Sequence, residues 1–305
     1  DGKVVVVGAY LAQNTVYREG AAYVYEYTGS ADGVYSGGSW VHRSTLLPPT
    51  PESSGHFGQR VEISGDANYV LIGEANDDVG GVANVGGAHV YVRSGNAWNF
   101  QQSLVDPDAQ PSDYMGKSIS INSDGTHILA GAPYDDGPTG GAVIENAGKV
   151  LHFKRTGTTW AYSATIYAPT PTANDNFGAD SSTSISGDGT RALLGLKNDD
   201  TPYNDNGQLI YYTFATAAAA VIDASTQVFT VTGTGFTASM TGADKAVVLG
   251  VDGSTEYPID SVTIDSLTSL TFKLAASGVA IPSPQLANRP YKVKLTGNAG
   301  LTVTS

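Results

Sequence analysis

The sequence predicts an all-β chain in which β-propeller blades of four short strands are followed by a second, smaller β-module. Three observations carry that prediction. A block of 58 to 62 residues recurs with its tryptophans, glycines and turn aspartates in step. Within each block, short alternating segments are separated by Gly, Asp, Asn and Ser turns. Beyond residue 214 the period stops and another strand pattern begins.

The repeat is anchored by Trp40, Trp98 and Trp160, each following a Gly/Ser/Thr turn in SGGSWVHRSTLL, SGNAWNFQQSLV and TGTTWAYSATIY. HFG at 56–58, YMG at 114–116 and NFG at 176–178 keep the same step. So do Gly73, Gly131 and Gly195, each with an aspartate seven residues earlier (Asp66, Asp124, Asp188); Asp1 stands in the same relation to Gly8. The second block serves as the example. Arg60 to Ser64 is a strand, Gly65 to Asn68 a turn, and Tyr69 to Ile72 an apolar strand buried on both faces. A polar loop follows, then an alternating strand from Ala88 to Arg93, a tight turn, and a half-polar outer strand from Trp98 to Val105. Meanders repeated at this period stack radially as blades, which buries sheet faces and leaves only short edges. The units hold three, four, four and three strands, the last stopping at Tyr211 to Phe214. A propeller needs about four to eight blades, so the chain is expected to be part of a longer propeller or to be completed by a neighbouring chain.

Composition narrows the chemistry. With 305 residues the chain has no cysteine, which removes disulfides, thiolate metal sites, iron–sulfur clusters and a cysteine nucleophile. The formal charge of −13 and the lack of a basic run argue against a nucleic-acid or anionic-membrane partner. No apolar run approaches the roughly 18–20 residues of a membrane helix, and Val4 to Val7 reads as a strand rather than as the apolar stretch of a signal peptide. Only 15% of residues are charged, against about 25% in ordinary domains, so Ser, Thr, Asn, Gly and Tyr must build the surface.

The segments FGQRVEISGDANYVLIGEANDD, MGKSISINSDGTHILAGAPYDDG and FGADSSTSISGDGTRALLGLKNDD resemble FG-GAP repeats, the blades of integrin-α-type propellers. Phe57-Gly58, Phe177-Gly178 and the literal Gly131-Ala132-Pro133 carry the likeness over residues 1–214. The resemblance implies a propeller, extracellular or surface placement, and adhesion or ligand binding. Integrin-type members carry a calcium loop of alternating acids between the first two strands. Here that place holds only a short turn, such as Ser-Gly-Asp-Gly at 186–189, too few oxygens for a cage of about six to eight ligands. Residues 215–220 read as a low-complexity hinge. Residues 221–305, with TVTGTGF at 230–236 and Tyr291 to Leu295 as a closing strand, resemble an immunoglobulin-like TIG (IPT) β-sandwich domain, which implies a spacer or interaction module.

The candidate site residues are the acidic pairs Asp77-Asp78, Asp135-Asp136 and Asp199-Asp200, four and five residues beyond their repeat glycines. Two readings stand side by side. With Asn84, Asn146 or Asp205 the pairs could hold calcium through oxygen, or they could cap their own loops by accepting backbone N–H groups. The histidines at 42, 56, 89, 127 and 152 show no close zinc-type spacing, and no G-x-S-x-G elbow occurs. Tyr23, Tyr25 and Tyr27 give one strand an aromatic face, suited to packing between blades or to stacking on sugars. The expected function is that of a non-enzymatic extracellular, cell-surface or virion-surface protein acting in adhesion or assembly. Its partners would be other protein subunits or a surface receptor, with a filament or lattice of identical chains completed by strand exchange. A glycan-binding module is the alternative.

Overall fold

A computed structural model describes residues 2–29, 37–137, 143–198 and 207–214, and beyond them the backbone of seven strands. Two compact units divide at Tyr212 and Thr213. The first contains four antiparallel sheets. The first blade is β1 (Val4–Ala9), β2 (Ala21–Tyr27) and β3 (Trp40–Leu46). The second is β4 (Arg60–Ile63), β5 (Tyr69–Glu74), β6 (Gly87–Ser94) and β7 (Ala97–Leu104). The third is β8 (Ser118–Ile121), β9 (His127–Ala132), β10 (Lys149–Thr156) and β11 (Thr159–Ile166). The fourth is β12 (Thr183–Ile185), β13 (Arg191–Leu196) and β14 (Gln208–Thr213). Each is a meander with strands in chain order.

The blades match residue by residue. Trp40 pairs with Tyr27, Trp98 with Arg93 and Trp160 with Arg155, the same place in three hairpins. Each hairpin carries its bulge at the same step, after Val24, Val90 and His152. The recurrent aspartate caps the first turn: Asn68 N–H donates to Asp66 (3.0 Å), Thr126 hydroxyl to Asp124 (2.6 Å) and Thr190 N–H to Asp188 (3.0 Å). Parallel bridges Gly20–Phe57, Gly86–Met115 and Gly148–Phe177 link each blade to the next. At Gly86 φ is +80° and a Cβ would lie 2.2 Å from the Met115 carbonyl oxygen, so the approach of the two backbones requires glycine.

Strand alternation builds two cores from one strand. In β5, Val70 and Ile72 face the first blade among Val24, Leu46, Phe57 and Trp98. Leu71 faces the third blade among Val90, Met115, Ile128, Phe153 and Trp160. Trp98 and Trp160 each close the joint to the preceding blade. Trp98 N–H donates to Ser44 Oγ (3.1 Å), and Trp160 donates from its backbone to Gln102 (2.9 Å) and from its indole to Gln101 (3.1 Å). Trp98 and Trp160 are 4% and 3% exposed, whereas Trp40, in the first described blade, is 45% exposed.

The second unit is one seven-stranded sheet in the order β15-β16-β19-β18-β17-β20-β21. Its strands are β15 (Thr216–Asp223), β16 (Val228–Thr234), β17 (Ala246–Leu249), β18 (Glu256–Ser266), β19 (Ser269–Leu274), β20 (Lys292–Leu295) and β21 (Leu301–Thr304). β18 pairs with β17 through Glu256 to Pro258 and with β19 through Ile259 to Ser266, so one strand serves both halves. Residues 216–220, read from the sequence as hinge, are strand: β15 pairs along β16 from Thr216 with Thr234 to Asp223 with Val228. A ladder partner overrides the weak local preference of an alanine run.

Trp98→Ala and Trp160→Ala are each expected to lower stability by about 3–5 kcal/mol, and Trp40→Ala by less than half as much. Urea midpoints of the three variants check this order.

Candidate functional site

In the two acidic pairs that are described, the neighbours separate. The second member caps its own loop: Asn84 N–H donates to Asp78 Oδ1 (2.7 Å) and Asn146 N–H to Asp136 Oδ1 (3.0 Å). The first member turns inward, leaving Asp77 and Asp135 6% and 3% exposed. Asp199 and Asp200 lie outside the described residues.

Asp135 meets a lysine. The Lys149 ammonium, at the start of β10, lies 2.6 Å from Asp135 and 2.7 Å from Asp106, which follows β7. Asp113, which precedes β8, completes a cluster whose ligand-type oxygens lie within 4.8 Å of one another. Burial opposes the Lys149 charge, but Asp106 and Asp135 outweigh it and hold its pKa above the ordinary range. Burial raises Asp113 to about 6 despite the hydrogen bond from Gln110 N–H (2.8 Å). The lysine therefore clasps the second blade to the third through buried charge.

Asp77 meets a different set. Its neighbours are Glu74, at the end of β5, and His89, in β6: His89 Nε2 is 3.0 Å from Glu74 Oε2 and 3.9 Å from Asp77 Oδ2. Nδ1 of His89 is 2.9 Å from Ser103 Oγ across the β6–β7 pair, and its ring packs on Phe57 with centroids 5.6 Å apart. Burial, then the nearby Glu19 charge, raises Glu74 to about 8; burial, then Glu74, raises Asp77 to about 6. Burial lowers His89 to about 4, so the imidazole is neutral at physiological pH. Glu52 accepts Asp78 N–H (2.7 Å) and is raised by burial to about 7. Sequence spacing alone could not bring Glu74 and His89 to Asp77, because the three meet only when β5 and β6 pair.

A groove of about 460 Å³ opens beside these loops, lined by Tyr10, His56, Gln59, Asn76, Ser112, Tyr114, Lys117, Tyr134 and Asn146. Two of its residues, His56 (φ 62°) and Tyr114 (φ 54°), hold left-handed backbone, a conformation that L side chains rarely adopt. Tyr114 meets Tyr134 edge-on at 5.5 Å, and Tyr10 meets His56 at 5.6 Å. Elsewhere the fold joins two histidines that the sequence keeps far apart: His127 and His152 stack at 5.2 Å, with Nδ1 and Nε2 2.9 Å apart.

Lys149→Met leaves buried carboxylates without their cation and is expected to lower stability by about 3–5 kcal/mol, read from urea denaturation. Asp113 has its folded pKa raised from 3.8 to about 6, so its folded form keeps a proton that the unfolded chain releases. Its contribution is present below about pH 4 and lost as pH rises through 6. Asp113→Asn should flatten the stability–pH curve in that window, measured as urea midpoints from pH 4 to 7.

Against known families, the FG-GAP repeat model matches residues 98–148. No curated protein matches the sequence. Among solved structures, the chain is similar to the periplasmic gluconolactonase PpgL of Pseudomonas aeruginosa, at 13% identity and a TM-score of 0.39 over 99% of this chain and 81% of that one. It is also similar to the C-terminal WD40 domain of Sif2, at 11% identity and a TM-score of 0.35 over 97% of this chain and 76% of that one. At TM-scores of that size neither likeness bears on what the chain does. The blade architecture rests on the chain's own strand order and on the FG-GAP match, which runs from Trp98, through the two inner strands of the third blade, to Gly148.

Proposed function

We propose that the first unit is a non-enzymatic propeller module of an extracellular or virion-surface protein, acting in adhesion or assembly by seating its two terminal blades against partner blades. One observation carries this reading: the faces left open at the two ends are the counterparts of faces buried at every internal joint. Leu71 and Leu129, two residues before their repeat glycines, are 0% exposed, whereas the equivalent Leu193 is 45% exposed. Leu209 and Tyr211 extend the same blade's apolar surface at 66% and 62%. At the other end Val5 and Val7, at 40% and 48%, point away from the core that holds Val4 and Val6. Val5 and Val7 pair with Tyr25 and Tyr23, so these two tyrosines of β2 belong to this open face. The occupant best suited to each face is the opposite end of a second copy, whose packing chemistry is that of the internal joints. That contact is heterologous and builds a ring or filament. The second unit would serve as an immunoglobulin-like spacer or interaction module.

The groove lined by Tyr10, Tyr114 and Tyr134 favours a second reading, a glycan-binding module. Aromatic rings beside Gln59, Asn76 and Asn146 amides offer stacking faces and hydrogen-bond partners for a sugar.

Light scattering separates the two. The assembly reading expects the mass to rise with concentration, and Val7→Lys or Leu209→Lys to hold the chain monomeric. A monodisperse monomer at high concentration would sink it. Glycan-array binding that is lost in Tyr114→Ala would support the second reading, and uniformly blank arrays would oppose it.

A further inference from the structure

The Glu74, Asp77 and His89 side chains place ligand-type atoms within 4.8 Å of one another, all of them buried. Two independent features point to a ligand among them. Glu74 is 0% exposed, yet its Oε1 takes no hydrogen bond, and its Oε2 is met by His89 Nε2, 1% exposed and 3.0 Å away. The second feature is a comparison within the molecule. Gly86 and Gly148 make the same bridge to the next blade, so Gly87 stands where the third blade has Lys149. Asp77 thus faces a glycine where its counterpart Asp135 faces an ammonium group. A Cβ on Gly87 would lie 3.3 Å from Asp77 Oδ2 and 3.7 Å from His89 Nε2, so the position that lysine fills in one blade borders this cluster in the other.

We propose that Glu74, Asp77 and His89 bind a divalent transition-metal ion of the zinc class, which balances charge in the second blade as Lys149 does in the third. The donor set selects the metal. One imidazole nitrogen with two carboxylate oxygens suits zinc, whereas calcium takes about six to eight oxygens. The observed separations of 3.0 and 3.9 Å bracket the roughly 3.4 Å between ligands around a tetrahedral ion with bonds of about 2.1 Å. Ser103 orients the imidazole: when Nδ1–H donates to its hydroxyl oxygen, the Nε2 lone pair faces the two carboxylates. Once ionised, two carboxylates beside a neutral imidazole carry the charge that one divalent cation cancels. Because all three residues are buried, the ion is structural and ties the loop 75–86 to the β5–β6 pair. This inference does not rest on the assembly reading.

The test uses the untagged full chain, stripped with chelator and then melted with zinc, calcium or magnesium. Zinc at about 100-fold above its Kd is expected to raise Tm by about 5 °C, with no shift from millimolar calcium. Glu74→Gln should abolish the zinc shift, as should Asp77→Asn, which serves if the first variant does not fold. Cobalt should give a visible d–d spectrum in the wild type that His89→Gln lacks. A wild-type Tm that zinc leaves unchanged, a zinc shift that persists in Glu74→Gln, or a cobalt spectrum unaltered by His89→Gln would each overturn the proposal.

Discussion

A sheet with two apolar faces is stable only when both faces are covered, and that requirement organises the first unit. Val70 and Leu71 are neighbours in β5, yet they feed different cores. No single blade can bury both. Each blade therefore depends on the one before it and the one after it, and stability accumulates by stacking rather than within a sheet. The same rule explains the first and fourth described blades, where equivalent tryptophan and leucine positions change from buried to exposed.

Close stacking has a backbone consequence. Where one blade's third strand begins beside the next blade's Phe-Gly or Met-Gly, the carbonyl approaches to a distance that admits no side chain, as at Gly86. The residues just before those pairs, His56, Tyr114 and Asn176, take left-handed backbone. Repeated strain of this kind is tolerated because packing on both sides over-determines the turn, and it aims His56 and Tyr114 at the groove.

The joints also show how one scaffold hosts different chemistry. The third blade answers its inward aspartate with Lys149, whereas the second answers the equivalent aspartate with a glutamate and a neutral histidine. The backbone at the two places is the same, and the identity of one residue, lysine or glycine, decides whether the charge is balanced within the chain.

Residue order by itself determined the period, the strand count of each unit, the capping role of Asp66, Asp124 and Asp188, and the tight turns before Trp98 and Trp160, because all of these rest on contacts a few residues long. It also suggested the acidic pairs, but not that their members part, since Asp77 and Asp78 differ only in the direction that the folded loop gives each of them. Glu74, Lys149, Asp106 and Asp113 were not singled out by the sequence, and His89, His127 and His152 stood there only as histidines without zinc-type spacing. None of them has a local spacing signal, and their meeting requires strand pairing or a joint between blades. The alanine run at 216–220 carries little intrinsic preference, and its pairing with β16 makes it strand. Local chemistry wrote the strands and turns of this protein, whereas burial between sheets decided which charges must find partners.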